Sequence, residues 1–348
     1  TTMYNMFYGA ATFNQDLNSW NVSSVTNMYS MFYAATAFNG NITSWDVSNV
    51  TNMNNMFYAA AAFNQDIGSW DVSNMTNMQG VFVGASSFNG NIGSWDVSNV
   101  TDMQQMFYGA SSFNQDLNSW NVSNVTSLYF LFYDATAFNG NITSWNVSSV
   151  TNMSYTFYNA TAFNQDIGSW NVSSVTNMVN MFSYNVTLSH PLCDWELHQY
   201  NTNVYLPTFS NSDHYDSTII GWYLNWESTA TNRYIYSNSS YCQSQDTRNL
   251  LISTGWAFYN DQYSCDTSTS LNDIISTCAD ASAQTPITDS NIHEAVDLWA
   301  DYENVALIEY GHISDWDVSN VTNMNAVFSG HTNFNDDISA WDVSNVTT

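Results

Sequence analysis

Basic residues are almost missing from this chain of 348 residues. It has no lysine and two arginines, Arg233 and Arg248, against 30 acidic side chains, giving a net charge of −28. A protein that tracks a phosphate backbone or lies on an anionic bilayer needs clustered Lys or Arg, so nucleic acid and anionic membrane are excluded as partners. Long apolar runs are missing too: no stretch approaches the roughly 18 residues of a spanning helix, so no membrane insertion is expected. Cysteine is confined to Cys193, Cys242, Cys265 and Cys278. No Cys-x-x-Cys spacing is present and the histidines are scattered, so an even count in one region points to disulfides before metal ligands. Aromatics make up 16% of the chain. Strong acidity with that much periodic apolar content indicates an ordered protein with a solvated, extracellular or cell-surface setting. The first residues already lie inside a repeat and carry no signal peptide, so the sequence is read as a mature chain or an excerpt.

What is abundant is periodicity. Tryptophan falls at 20, 45, 70, 95, 120, 145, 170 and 195, and again at 316 and 341, an interval of 25 within each set. A fixed period of this length predicts a solenoid with one coil per repeat. Within a coil, Leu17-x-x-Trp20-x-Val22 alternates as a short half-buried strand does, and Met28-x-x-Met31-Phe32-x-x-Ala35 has helical or 3-10 spacing. The predicted fold is therefore an α/β repeat of the leucine-rich-repeat type, with one short strand and one short helical or 3-10 arc per coil. Indole and phenyl rings in such a coil bury fully only between neighbours, so stacking has to supply the stability. Phe is followed by Asn at 14, 39, 64, 89, 114, 139, 164 and 335; these amides are expected to hydrogen-bond turn backbone in the next coil. Superimposed is an alternation of Phe-Asn-Gln-Asp with Phe-Asn-Gly-Asn.

The period stops after Trp195. Four parts follow: coils ending an array over 1–195, a disulfide-stabilised closing cap over 196–265, a linker over 266–290, and an opening cap with the first coils of the next array over 291–348.

The coil Val-Thr-Asn-Met-x-x-Met-Phe-x-x-Ala-x-x-Phe-Asn-Gln-Asp-Ile-x-x-Trp-Asp-Val-Ser-Asn resembles the BspA-like leucine-rich-repeat surface proteins over residues 1–195 and 311–348. Tyr215-Asp216-Ser217, Ile220-Gly221-Trp222, Arg248 and Gly255-Trp256 are similar to the segment that closes some arrays of that family. Ala295 to Trp299 and Tyr310 to Trp316 resemble one that opens them. The resemblance implies surface and adhesive roles. It also implies a Cys242–Cys265 disulfide, which leaves Cys193 and Cys278 as the other pair. The closing segment thus precedes the opening one, and the two ends of the chain read as complementary halves of one array.

Their register agrees. Thr1-Thr2 and Thr347-Thr348 hold the same two positions of the repeat. Seven residues follow Trp341 and eighteen separate Thr2 from Trp20, which restores the interval of 25 when the Thr pair is counted once. The expected joint comprises Thr1, Thr2, Met3, Met6 and Phe7 on one side and Trp341, Val343, Val346, Thr347 and Thr348 on the other. The expected partner is a second copy, docked head to tail or joined in one tandem polypeptide.

Asn-x-Ser/Thr sequons are dense, at Asn21, Asn41, Asn49, Asn74, Asn99, Asn121, Asn124, Asn141, Asn146, Asn152, Asn159, Asn171, Asn185, Asn238, Asn320 and Asn345. They make attached glycan an expectation, with partial occupancy where sequons stack. No catalytic constellation is found. A column of identical carboxylates lacks the unequal environments that separate an acid from a base, so no enzymatic activity is expected. No cofactor is expected either. Solvated turns and loose Ca²⁺ binding both remain readings of Asp16, Asp66, Asp116 and Asp166. Tyr8, Tyr33, Tyr58, Tyr108, Tyr133 and Tyr158 form a further column, read as cover of a thin solenoid, a carbohydrate stripe or a packing surface. Two function classes follow: an extracellular glycoprotein building filaments by head-to-tail continuation of its solenoid, and an adhesin binding a host protein or glycan. The end register favours the first.

Overall fold

A computed structural model describes residues 1–184, 186–198, 203–210, 212–224, 233–241, 244–253, 255–263 and 285–348. The 25-residue repeat forms a solenoid whose coils stack in parallel, with bridges at Thr2–Asn27–Asn52 and along Asn77, Asp102, Ser127, Asn152 and Asn177.

The interior is a set of ring columns. Phe32, Phe57, Phe82, Phe107, Phe132 and Phe157 stack at centroid spacings of 5.5 to 5.7 Å. A second file, Phe38, Phe63, Phe88, Phe113, Phe138 and Phe163, runs beside it, and in coil 26–50 the two files meet at 3.9 Å. Trp45 through Trp170 are buried. Most indoles donate along the stack, as Trp45 Nε1 does to Leu17 O at 2.9 Å and Trp195 Nε1 to Ile167 O at 2.9 Å. Such an indole joins two coils by ring contact and by hydrogen bond, whereas Trp170 stacks on Trp145 with its buried Nε1 unpartnered, so burial is shared between neighbours.

Local conformation differs from the expected strand and helical arc. Leu17, Trp45 and Val22 types are buried as the alternation predicts, but the backbone there runs in tight turns, with Trp20 N bonding Leu17 O and Val25 N bonding Val22 O. The arc after Met28 is a chain of turns too. Met31, Tyr33, Ala35 and Phe38 donate back three residues, whereas Met28, Ser30, Phe32 and Ala34 donate to Asn52, Asn54, Met56 and Tyr58 of the next coil. Ser30 and Ala34 have φ of 51° and 55°, and their equivalents are left-handed as well. A left-handed residue at every fourth position turns alternate N–H groups along the stack, which no helix permits. The three-and-four spacing of apolar residues reflects these turns.

The glycine alternation has a steric cause. A Cβ at Gly40, Gly90 or Gly140 would collide with the carbonyl of Gln15, Gln65 or Gln115 in the coil before. In return, Gln65 Nε2 bonds Asn39 O at 2.8 Å and Asn39 Oδ1 at 2.9 Å, and Gln115 and Gln165 repeat this on Asn89 and Asn139. An interior Gln coil is therefore fitted between two Gly coils, its side chain on the asparagine of the one before and its carbonyl against the glycine of the one after.

Beyond Val186 the stack continues with regular elements. Strands β1 (Thr187–Leu188) and β3 (Thr208–Phe209) pair in parallel. So do β2 (Asn203–Tyr205), β4 (Tyr234–Tyr236) and β6 (Ala257–Tyr259), and also β5 (Ser240–Tyr241) and β7 (Gln262–Tyr263). Helices α1 (Ser212–Leu224) and α2 (Gln245–Ser253) alternate with them. One hydrophobic cluster runs from Leu17 to Trp256, so this segment extends the core of the coils. Arg248 grips Asp261 with two bonds of 2.7 and 2.9 Å, and Tyr215 Oη adds a third at 2.8 Å. Burial and the Asp261 carboxylate push the Tyr215 phenol well up.

Residues 287–341 form a second cluster. Helices α3 (Ile292–Asp301) and α4 (Glu303–Tyr310) lead into a 3-10 turn, Ile313–Asp315. Trp299 meets Trp316 edge-on at 6.1 Å, and Trp316 stacks on Trp341 at 6.0 Å. Asp289 binds Thr322 N and Oγ1, both at 2.6 Å, and Asn323 N at 3.0 Å. These bonds hold the carboxyl below the usual range and fasten the helices to the coil.

Candidate functional site

The two outermost coils expose faces that are buried everywhere between them. Met3, Phe7, Phe13 and Trp20 are half-buried, whereas their column mates Met28, Phe32, Phe38 and Trp45 are at most 3% exposed. Tyr4, Met6 and Tyr8 are 51 to 55% exposed. At the other end Met324, Phe328, Phe334, Ile338, Trp341 and Val346 are half-buried, and Val343 is 51% exposed against 1% for Val318.

The backbone bonds at each end are those of the interior coils. Thr347 N bonds Thr322 O at 2.8 Å, as Thr26 N bonds Thr1 O at 2.9 Å. Met324 N bonds Thr348 O at 2.8 Å, as Met28 N bonds Asn52 O at 2.8 Å. Thr347-Thr348 therefore sit where Thr51-Asn52 sit, and Thr1-Thr2 hold that same place in their own coil. Backbone groups outside the predicted contacts complete the faces. Ala326, Phe328 and Gly330 correspond to Ser30, Phe32 and Ala34, and their N–H groups have no acceptor among the described residues. The carbonyls of Tyr4, Met6 and Tyr8 correspond to those of Asn54, Met56 and Tyr58, and they have no donor there. Left-handed φ at Ala326 (61°) was the signal, and it is not visible in an alanine.

The sequons separate into classes. Asn21, Asn146 and Asn171 accept the N–H and the hydroxyl of the serine two residues on, and Asn121 accepts the N–H of Ser123. Asn41 and Asn141 do the same with Thr43 and Thr143. In the column of Asn49, Asn74, Asn99, Asn124 and Asn345 it is Nδ2 that is engaged, donating to a serine carbonyl of the preceding coil at 2.7 to 2.9 Å. Asn152 accepts from Ser154, and Asn159 Nδ2 donates to Asp134 at 2.8 Å. Asn238 and Asn320 are exposed. Asn185 lies outside the described residues.

Asp16, Asp66, Asp116 and Asp166 each cap the N–H two residues on, at 2.8 to 3.1 Å. Asn41, Asn91 and Asn141 alternate with them, so successive carboxylates stand two coils, about 10 Å, apart. Among the described residues no three His, Cys, Asp or Glu side chains converge as a metal site. Nor is any helix there long and apolar enough to cross a membrane. Cys193 is buried and disulfide-bonded, with its Cβ against Gly221. Cys242, Cys265 and Cys278 lie outside the described residues, and both expected pairings with them. The tyrosine column stacks ring on ring at 4.4 to 4.6 Å, from Tyr8 through Tyr33 to Tyr58 and from Tyr108 through Tyr133 to Tyr158. Inside each run the faces cover one another, so apart from the outer face of Tyr8 mainly edges and hydroxyls are presented, a poor match to sugar-on-ring binding.

A family model described as "Mycoplasma protein of unknown function, DUF285" matches residues 1–82, 64–158, 138–248 and 269–348. No curated protein matches the chain.

Proposed function

Because the chain belongs to the DUF285 family, matched in successive segments along nearly its whole length, we propose that it is a repeat-built structural protein of the cell exterior. In this reading it is a glycoprotein that forms filaments by head-to-tail continuation of its solenoid. The carrying observation is the complementarity of the end faces. With Thr1-Thr2 laid on Thr347-Thr348, as one pair in a continuous chain or with one pair displaced in docked copies, Phe7 meets Phe328, Phe13 meets Phe334 and Trp20 meets Trp341. Ala326, Phe328 and Gly330 then donate to Tyr4, Met6 and Tyr8, and Trp20 Nε1 donates to Ile338 O. Each contact is one that the interior coils already make, so the occupant is a coil of this same type. Both faces are apolar and they differ from each other, so the association is heterologous and propagates along one axis.

Imaging of the purified chain with mass measurement tests this. Filaments with an axial repeat of one module are expected, and Phe7→Asp is expected to disperse them. A denaturing gel after reduction and deglycosylation separates docked copies from one tandem polypeptide. Monodisperse monomers at high concentration, with no chain continuous across the joint, overturn the reading. The alternative of a BspA-like adhesin binding a host protein or glycan rests on the exposed tyrosine edges and predicts filament-independent binding.

A further inference from the structure

The sequons form separate columns on the coils, and the columns use different atoms of the asparagine side chain. We infer that N-linked glycan is carried by the columns of Asn21 and Asn41 and is excluded from the column of Asn49. The inference rests on the extracellular reading above. Attachment replaces one Nδ2–H by a bond to the anomeric carbon of a lipid-pyrophosphate-linked oligosaccharide. The bond from that carbon to the pyrophosphate breaks, the lipid pyrophosphate leaves, and the displaced proton passes to solvent. What decides a site in the folded chain is therefore where Nδ2 points and what it already does.

In the Asn49 column that nitrogen works inside the stack. Asn49 Nδ2 reaches Ser23 O at 2.9 Å, Asn74 reaches Ser48 O at 2.7 Å and Asn99 reaches Ser73 O at 2.9 Å. The sequon threonines are committed as well, with Thr51 Oγ1 on Thr26 O and Thr101 Oγ1 on Thr76 O, both at 3.2 Å. A sugar on Nδ2 would sit against the carbonyl of a coil about 4.8 Å away. In the other two columns Oδ1 does the work. It takes the N–H and hydroxyl of the residue two on, at 3.1 and 2.7 Å for Asn21 and at 3.0 and 2.9 Å for Asn41, while Nδ2 has no partner among the described residues.

The repeat itself bears this out chemically. The Asn21 position is Asp in Asp46, Asp71 and Asp96, and the Asn41 position is Asp in Asp16 and Asp66. Aspartate supplies the same acceptor oxygen and lacks the donor. The Asn49 position is asparagine or serine in the regular coils, as in Ser24, Ser149 and Ser174, and both retain a donor. Crowding then grades the occupied sites. Asn41 has Asp16 and Asp66 on the neighbouring coils, and Asn141 has Asp116 and Asp166, so each stands clear of another sequon in its column. Asn121, Asn146 and Asn171 lie on consecutive coils and compete for space.

The test is to secrete the full chain from an N-glycosylating host and release glycan enzymatically in ¹⁸O water. Asparagines that carried sugar are then read as labelled aspartate. Label is expected at Asn21, Asn41 and Asn141, in part at Asn121, Asn146 and Asn171, and none at Asn49, Asn74 or Asn99. Label at Asn74 or Asn99 in folded material, or its absence from Asn41 and Asn141, overturns the inference. A second measurement needs no glycan. In a non-glycosylating host Asn74→Asp should lower the melting temperature by about 2 °C or more, and Asn146→Asp, whose column neighbours Asn121 and Asn171 are uncharged, should leave it unchanged; equal shifts overturn the partition. Neither readout depends on filament formation, so it stands or falls apart from the assembly.

Discussion

Between Thr1 and Tyr184 every coil makes the same few contacts: two Phe files, one indole and a ladder of asparagine oxygens that runs from Asn14 to Asn39 and on to Ser189. Between Asn203 and Tyr263 the contacts are unique, with α-helices, short parallel strands and an ion pair in which Asp261 is 3% exposed and Arg248 15%. Both regions share a single apolar core, yet they distribute risk differently. In the regular coils energy is spread over near-identical neighbours. In the later segment a single carboxylate holds Arg248, Tyr215 and the strand turn together.

The sharpest break in the comparison is expected from Trp95→Ala, which removes a ring shared by two coils and an Nε1 bond of 3.0 Å to Ile67 O. About 3 to 5 kcal/mol should be lost in denaturant unfolding. Hydrogen exchange should rise on both adjoining coils, and protection that changes in one coil alone would contradict shared burial. Asp261→Asn should cost about 3 kcal/mol, because Arg248 keeps its charge in a half-buried site without a counter-ion. Its exchange signature should be confined to α1, α2 and β7, in contrast to the spreading effect of Trp95→Ala.

Gly90→Ala probes the alternation of Gln and Gly coils. A Cβ there would stand 2.5 Å from Gln65 O, so about 1 to 3 kcal/mol of overpacking is expected, with the loss read in thermal melts. The same substitution at Gly109 meets nothing nearer than 3.7 Å and tests its left-handed backbone (φ 66°) alone. Asn89→Ala, which takes the acceptor from Asn114 N at 2.9 Å, should cost about 1 kcal/mol.

The smallest effects are those of pH, and the two ends of the scale act on different groups. Asp46 is held below 3.8 by the hydroxyl and then the N–H of Ser48, so its contribution is full above the ordinary carboxylate value and fades as pH falls through the lower folded one. Tyr33 and Tyr108 are pushed above 10, first by burial and then by stacked tyrosine neighbours. Their contribution is full below 10 and fades as pH rises through the folded values. Melting curves should therefore be flat through neutrality and fall at both extremes. A loss centred between pH 5 and 8 would point to groups outside these columns.

How much was legible follows from this geometry. A strict interval of 25 residues determines which side chain lies over which, so the buried indoles, the Phe files, the asparagine ladder and the matching register of Thr1-Thr2 and Thr347-Thr348 could all be read from the sequence. What it could not reveal was the direction of each bond. Whether an N–H closes a turn or reaches the next coil depends on left-handed residues such as Ser30 and Ala34, whose conformation does not follow from residue type. For the same reason the expected strand and helical arc became chains of turns, and sequons that look alike on paper divided by which amide atom the next coil engages. Composition and period decided what stacks; only the packed neighbour decided how each backbone group points, because along a solenoid a coil's hydrogen-bonding partners belong to another coil.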